Sequence, residues 1–140
     1  MLFSDVSSAA RHIWAKSGSD GGHGLLAHLL DVAAVTETLL IIEPQSSLLW
    51  AADAFGLEVS KLPRWIALMS GLHDFGKAIP GFQAKWPEGM LANQAHKLAF
   101  PASACKVDRH DLATASFLGK ALLSLQIAEP GWLRNAVSAV

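Results

Sequence analysis

Apolar residues recur at helical spacing along almost the whole chain, and no stretch alternates apolar and polar residues well enough to predict a strand. A short helix is expected within residues 1–16. The run "SGSDGG" at 17–22 is the clearest linker, because glycines and small polar residues pack poorly and favour a turn. A long helix is predicted from His23 to Ile42, ended by Glu43-Pro44. "SSLLWAADAFG" predicts a shorter helix, with Ser46 or Ser47 as its cap and Gly56 as its stop. A third is expected from Pro63 to Asp74, with proline in the first turn and Gly76 just beyond the end. Pro80, Gly81, Pro87, Gly89 and Pro101 make residues 77–107 mostly loop, with one helix around Met90–Leu98. Beyond it the pattern predicts a helix from Asp111 to Gln126, capped near Asp108, and a last one from Pro130 still running at Val140. The expectation is an all-α fold, forming one domain over residues 1–140 without internal repeats.

Composition adds a constraint on surface. Of the 140 residues 51% are hydrophobic and only 16% charged, and the mean hydropathy of +0.31 is high for an isolated soluble domain. A large core accounts for this, or a domain cut from a longer chain whose other parts cover apolar surface. The uncapped apolar helix at "PGWLRNAVSAV" leads to the same expectation of a C-terminally truncated domain. The net charge of −1 provides no global field to recruit nucleic acid, so any such contact needs a local patch. The single cysteine, Cys105, excludes an internal disulfide and fits a reducing cytoplasm. The N-terminus lacks the apolar region of a signal peptide, and His28 and Asp31 interrupt the most apolar segment, so no membrane span is expected.

Four residues form the candidate chemistry: His28, His73, Asp74 and His110. Imidazole nitrogens with a carboxylate suit first-row divalent metals, such as Mn, Fe, Co, Ni or Zn. Neighbours on a regular helix point about 100° apart and rarely share one ion. At a helix end that constraint loosens, and Gly76 marks such an end in "GLHDFGK". Asp74 then has two oxygens with which to bridge two ions, and Asp31, one turn from His28, is available as an orienting acceptor. Lys77, one turn after His73, is suited to holding a phosphate oxygen or developing negative charge. The combination fits metal-assisted attack of water on a phosphoester.

Each residue alone has a plainer reading. A histidine in an apolar helix is more often a satisfied core residue, and an isolated "HD" is a weak signal. Asp74 and Lys77 can simply pair on the surface, and His110-Asp111 can be the ordinary polarity of a helix N-terminus. His12, His23 and His96 read as structural or solvent-facing.

Taken together the motifs are more specific. "HIWAKS", then "LLAHLLDVAAV", "LHDFGK", "GFQAKW" and "RHDLATASFL" occur in an order that resembles the HD-type nuclease domain of the CRISPR-associated helicase–nuclease of type I interference. The likeness runs from about His12 to Ala139. It implies an HD-domain-like helical bundle that cleaves single-stranded DNA with divalent metal ions, Mg among the candidates. His28, His73, Asp74 and His110 match the family's metal ligands, with Asp74 bridging, and Lys77 matches its catalytic-site lysine. The resemblance also implies a superfamily 2 helicase, in cis or in trans, and a target-recognition complex as partners. Phe82 and Trp86 are candidates for stacking on bases, although for Trp86 hydrophobic cover over the loop is the favoured reading.

The family pattern continues with a paired histidine motif after a helix like "WLRNAVSAV" and with a later aspartate, neither of which occurs here. The resemblance therefore implies an incomplete two-metal site. Two other readings stay open: an HD-type nucleotide phosphohydrolase with the same ligands, and a non-catalytic docking module that associates with itself through uncovered surface.

Overall fold

The computed structural model describes residues 6–124, and within them helix dominates. Helix α1 (Ser8–His12) leads into an antiparallel hairpin, β1 (Trp14–Gly18) and β2 (Gly21–Gly24). Then come α2 (Leu25–Ile42), α3 (Gln45–Phe55) and α4 (Leu62–Leu72). A 3₁₀ turn (Phe75–Ala78) follows, with α5 (Pro80–Gln83), α6 (Pro87–Ala95), α7 (Ala102–Cys105) and α8 (His110–Ser124) after it. The helix expected from Pro130 lies outside the described residues.

The principal helices lie where the periodicity puts them, with shifts at their ends. The long helix stops at Ile42 as expected, because Glu43 is extended ahead of Pro44. Its start moves from His23 to Leu25, since His23 belongs to the hairpin. No serine side chain caps α3; the helix begins after Pro44 and closes on Gly56, whose left-handed backbone returns its N–H to the carbonyls of Ala52 and Asp53.

The hairpin is the element that the pattern hid. Trp14 pairs with Gly24 and Lys16 with His23, so β1 carries one residue more than β2 between those pairs, and Ala15 is a bulge. Trp14 and Ala15 are both buried but enter different clusters. Trp14 packs with Ile79 and Phe82, whereas Ala15 packs with Leu25 and Leu29. The strand is a wedge between two parts of the core, so its inward residues are consecutive and no alternation can be read. Of the expected linker only Ser19 and Asp20 make the turn, while Gly18 closes β1 and Gly21 and Gly22 open β2.

Helices α2 and α4 pack closely because α4 offers a glycine to its neighbour. A Cβ at Gly71 would stand 2.9 Å from the carbonyl oxygen of Leu29. The other flank of the fold closes where α8 packs on the 3₁₀ turn. Much apolar surface remains open: Val35, Leu39, Ile41 and Ile42 on α2 and Leu49 and Trp50 on α3 are exposed. No helix among the described residues is long and apolar enough to cross a membrane.

Candidate metal centre

The doublet sits where the chain changes direction. Helix α4 ends at Leu72, His73 keeps helical geometry, and Asp74 (φ −101°, ψ 10°) makes the break into the 3₁₀ turn. That bridge-region conformation swings the carboxylate out of the helical screw and back toward the preceding imidazole. Nε2 of His73 lies 3.1 Å from Oδ2 of Asp74. The other ring nitrogen, Nδ1, is 2.7 Å from the carbonyl of Ser70, which can only accept, so it carries a proton. The lone pair of neutral His73 is therefore on Nε2, facing the cluster.

Three other elements bring side chains to the same carboxylate. His28, from the first turn of α2, places Nε2 at 2.9 Å from Oδ2. Lys77, one turn on from Asp74, places Nζ at 2.6 Å from the same oxygen. His110, the first residue of α8, puts Nε2 at 3.2 Å from Oδ1. One carboxylate thus faces two histidines and a lysine on one side and a third histidine on the other.

His110 reaches this position because α8 presses against the 3₁₀ turn at Gly76. A Cβ there would lie 2.0 Å from the carbonyl of His110 and 2.5 Å from the amide of Thr114. Thr114, fully buried, accepts the Gly76 N–H at 2.8 Å. The glycine read from sequence as a helix stop therefore serves as the surface on which α8 docks.

The heart of the cluster is shielded, with Asp74 6%, His28 7% and Lys77 9% exposed, while His73 and His110 are only half-buried at its rim. Burial pushes the Asp74 carboxyl up, but the hydrogen bonds from Lys77 and then His28, with the electrostatic influence of His73 and Lys77, outweigh it. The carboxyl titrates below its ordinary range and stays an anion at neutral pH. The pairing of Asp74 with Lys77 is thus a buried contact, not the surface pair that the plainer reading allowed.

Gln83 holds this arrangement to the hairpin. Its oxygen accepts from the Trp14 amide at 3.1 Å and from Asn93 Nδ2 at 2.8 Å. Its nitrogen donates to the carbonyls of Trp14 at 2.7 Å and Lys77 at 2.8 Å. Both amide atoms are thus fully used, and the Trp14 indole donates to the backbone carbonyl of Gln83 at 3.2 Å. The sequence signals were the "GFQ" and "WAKS" strings, which carried the resemblance without revealing that they bond to each other.

Some expectations changed. Asp31 pairs with His23 at 3.0 Å and not with His28, so His23, read as a bystander, stands at the edge of the site with its ring 6.1 Å from that of His28. Phe82 is buried beneath Lys77 and His110, so its ring packs the core and is not open to bases. Trp86 packs edge-on against Trp14 as hydrophobic cover. His12 and His96 stack on each other at 3.6 Å, which no spacing rule announced.

The donors suit a divalent cation. Within the described residues His28, His73 and Asp74 bring one ligand atom each within 4.8 Å of one another, a borderline N/O set. His110 stands across the second carboxylate oxygen, as a bridging carboxylate requires.

A helical fold in which a His-Asp doublet at a helix end gathers histidines from two other helices defines an HD domain. The family model described as "Cas3, HD domain" matches residues 14–140, and the chain belongs to that family. The chain is 45% identical over 95 residues to the CRISPR-associated endonuclease/helicase Cas3 of Thermus thermophilus. That match covers 68% of this chain and spans about a tenth of the Thermus protein, 10% of its length. No solved structure matches the chain.

Proposed function

We propose that the chain is a metal-dependent nuclease that hydrolyses phosphodiester bonds of single-stranded DNA in CRISPR antiviral defence. The observation that carries this reading is the convergence of His28, His73, Lys77 and His110 on the two oxygens of Asp74. Family membership and the Thermus relative, named an endonuclease/helicase, support it. His28, His73 and Asp74 would hold the first ion, with Asp74 also reaching a second ion beside His110. Bound divalent metal supplies Lewis acidity and a water of lowered pKa.

The protein groups have distinct tasks. Asp74 anchors the centre through both oxygens. Ser70 fixes the His73 tautomer, so the neutral ring turns its Nε2 lone pair toward the centre. Lys77, held by Asp74 and by Gln83 through its own carbonyl, keeps a cation beside the position of a phosphate oxygen.

Among the described residues the first position has three donors and the second has two, so the first ion binds more tightly. The metal is a first-row divalent ion or Mg. We read residues 1–140 as one domain that works in the cytoplasm with a helicase in the same polypeptide and a complex that delivers the displaced strand.

The test incubates the purified chain with circular single-stranded DNA and Mn²⁺ or Ni²⁺. Cleavage is expected, and loss of it in His73→Ala and Asp74→Asn is expected with it. Release of phosphate from nucleotides without DNA cleavage would favour the nucleotide-phosphohydrolase reading. Absence of metal binding by calorimetry, with a dimer by light scattering, would favour the docking-module reading.

A further inference from the structure

Beside the cluster, on the hairpin side, lies a recess of about 300 Å³ lined by Lys16, His23, His28, Asp31, Val35 and Thr36, among others. His28 is common to both, so the recess adjoins the candidate metal centre directly. We propose that this recess is a second phosphate subsite, which holds a phosphodiester of the substrate strand adjacent to the one being cut. The proposal rests on the nuclease reading above and extends it to residues that reading does not use.

Lys16 and His23 are cross-strand partners, and directly opposed residues project from the same face of a hairpin. Strict alternation would have put Lys16 on the face of Trp14, two residues earlier. The extra residue at Ala15 breaks that parity, and Lys16 instead lines the recess with α2. Bulges beside active sites commonly serve to re-aim a side chain in this way.

The charges favour an anion. Asp31, the carboxylate of the recess, is engaged by Nε2 of His23 at 3.0 Å. No ion pair among the described residues uses Lys16, so its charge is unspent, while Lys77 is held by Asp74 and Lys85 by Asp108. An ammonium that no carboxylate holds in an ion pair is available to a phosphate oxygen, with Asp31 turned to His23 instead. The Thr36 hydroxyl adds a donor, and Val32 and Val35 provide an apolar wall for a sugar. The lining contains no Asn, Gln or Arg positioned to read a base edge, so the subsite grips backbone without regard to sequence.

The test uses the full 140-residue chain in EDTA, with a fluorescein-labelled oligothymidylate followed by anisotropy across a NaCl series. One lysine–phosphate contact in a single strand contributes about 0.7 to the slope of log K against log salt. Lys16→Gln is expected to weaken binding roughly threefold to tenfold at low salt and to flatten that slope by about 0.7, while Lys16→Arg keeps the slope. Lys61→Gln, at the opposite end of α4 from the doublet, is the control and is expected to change neither. A Lys16→Gln slope equal to wild type overturns the proposal, as does an equal loss in Lys61→Gln or a wild-type chain that does not bind the oligonucleotide. Lys16-dependent binding without metal-dependent cleavage would uphold the subsite and sink the nuclease reading alone.

Discussion

The ammonium of Lys77 lies 2.6 Å from Oδ2 of Asp74, the same oxygen that His28 and His73 face, and both partners are buried. A lysine so placed supports the carboxylate when no metal is bound and competes with any cation that comes to it. Removing it separates the two effects. Lys77→Met leaves a buried carboxylate with less compensation, which costs roughly 3 kcal/mol for such a pair. The variant is expected to melt lower than wild type in EDTA and to recover more stability than wild type on adding Mn²⁺. Equal metal-induced shifts in the two proteins would mean that Lys77 does not oppose the ion. DNA cleavage is expected to fall in either case.

The metal-free protein should also report Asp74 through its acid sensitivity. Burial alone would raise this carboxyl, but Lys77, His28 and His73 bring it below the ordinary value of 3.8. A group whose folded pKa is depressed contributes stability that is fully present above its unfolded pKa and lost as pH falls through the folded one. Denaturant melts in EDTA between about pH 3 and pH 6 are therefore expected to show wild type losing stability on the acid side. Asp74→Asn should show a shallower loss below about pH 4, and identical slopes would refute the assignment.

Gly76 offers a way to detach His110 without touching a ligand. In Gly76→Ala the new Cβ meets the backbone of His110 and Thr114, which has little freedom to yield. Overpacking of this kind costs about 1–3 kcal/mol. Helix α8 is expected to shift, so calorimetry should show the weaker metal event lost and the tighter one, at His28, His73 and Asp74, retained. Thr114→Val, which removes only the hydroxyl that accepts the Gly76 amide, should produce a smaller loss in the same direction. Loss of the tighter event first would contradict the division of the site.

The helical fold was legible because its elements left local marks, whereas the members of the candidate site emerged only from the order of several motifs taken together. Apolar spacing, Glu43-Pro44 and Gly56 bounded helices, and "LHDFGK" announced a polar helix end. The site's geometry was less legible, since it depends on contacts distant in sequence. Nothing near Asp31 indicates that His23, eight residues before it, will take its carboxylate instead of His28. The hairpin was hidden for a related reason. Trp14 and Ala15 are consecutive and both buried because the strand lies between two clusters, and a periodicity argument assumes one buried face. Gly76 was identified as a special position, but its use is tertiary, and no local rule distinguishes a helix stop from a docking surface.

Gln83 carries the clearest consequence of those long-range contacts. Its side chain makes four hydrogen bonds, to the amide and carbonyl of Trp14, the carbonyl of Lys77 and the amide of Asn93, and it is 2% exposed. Gln83→Leu keeps a similar volume but leaves those partners buried and unpaired. At about 1–3 kcal/mol for each unsatisfied group, with some relaxation, a total loss of roughly 3 kcal/mol or more is expected. Gln83→Glu retains the two acceptor contacts, but its oxygens would face two carbonyls where an NH₂ had donated, so it should fare no better. Thermal melts measure the stability, and calorimetric Mn²⁺ titration at a temperature where the variant is folded measures the site. Because Lys77 loses its backbone anchor, metal affinity should change along with stability. A variant that melts within about 1 kcal/mol of wild type would mean that water replaces these bonds and that Gln83 does not hold the hairpin to the centre.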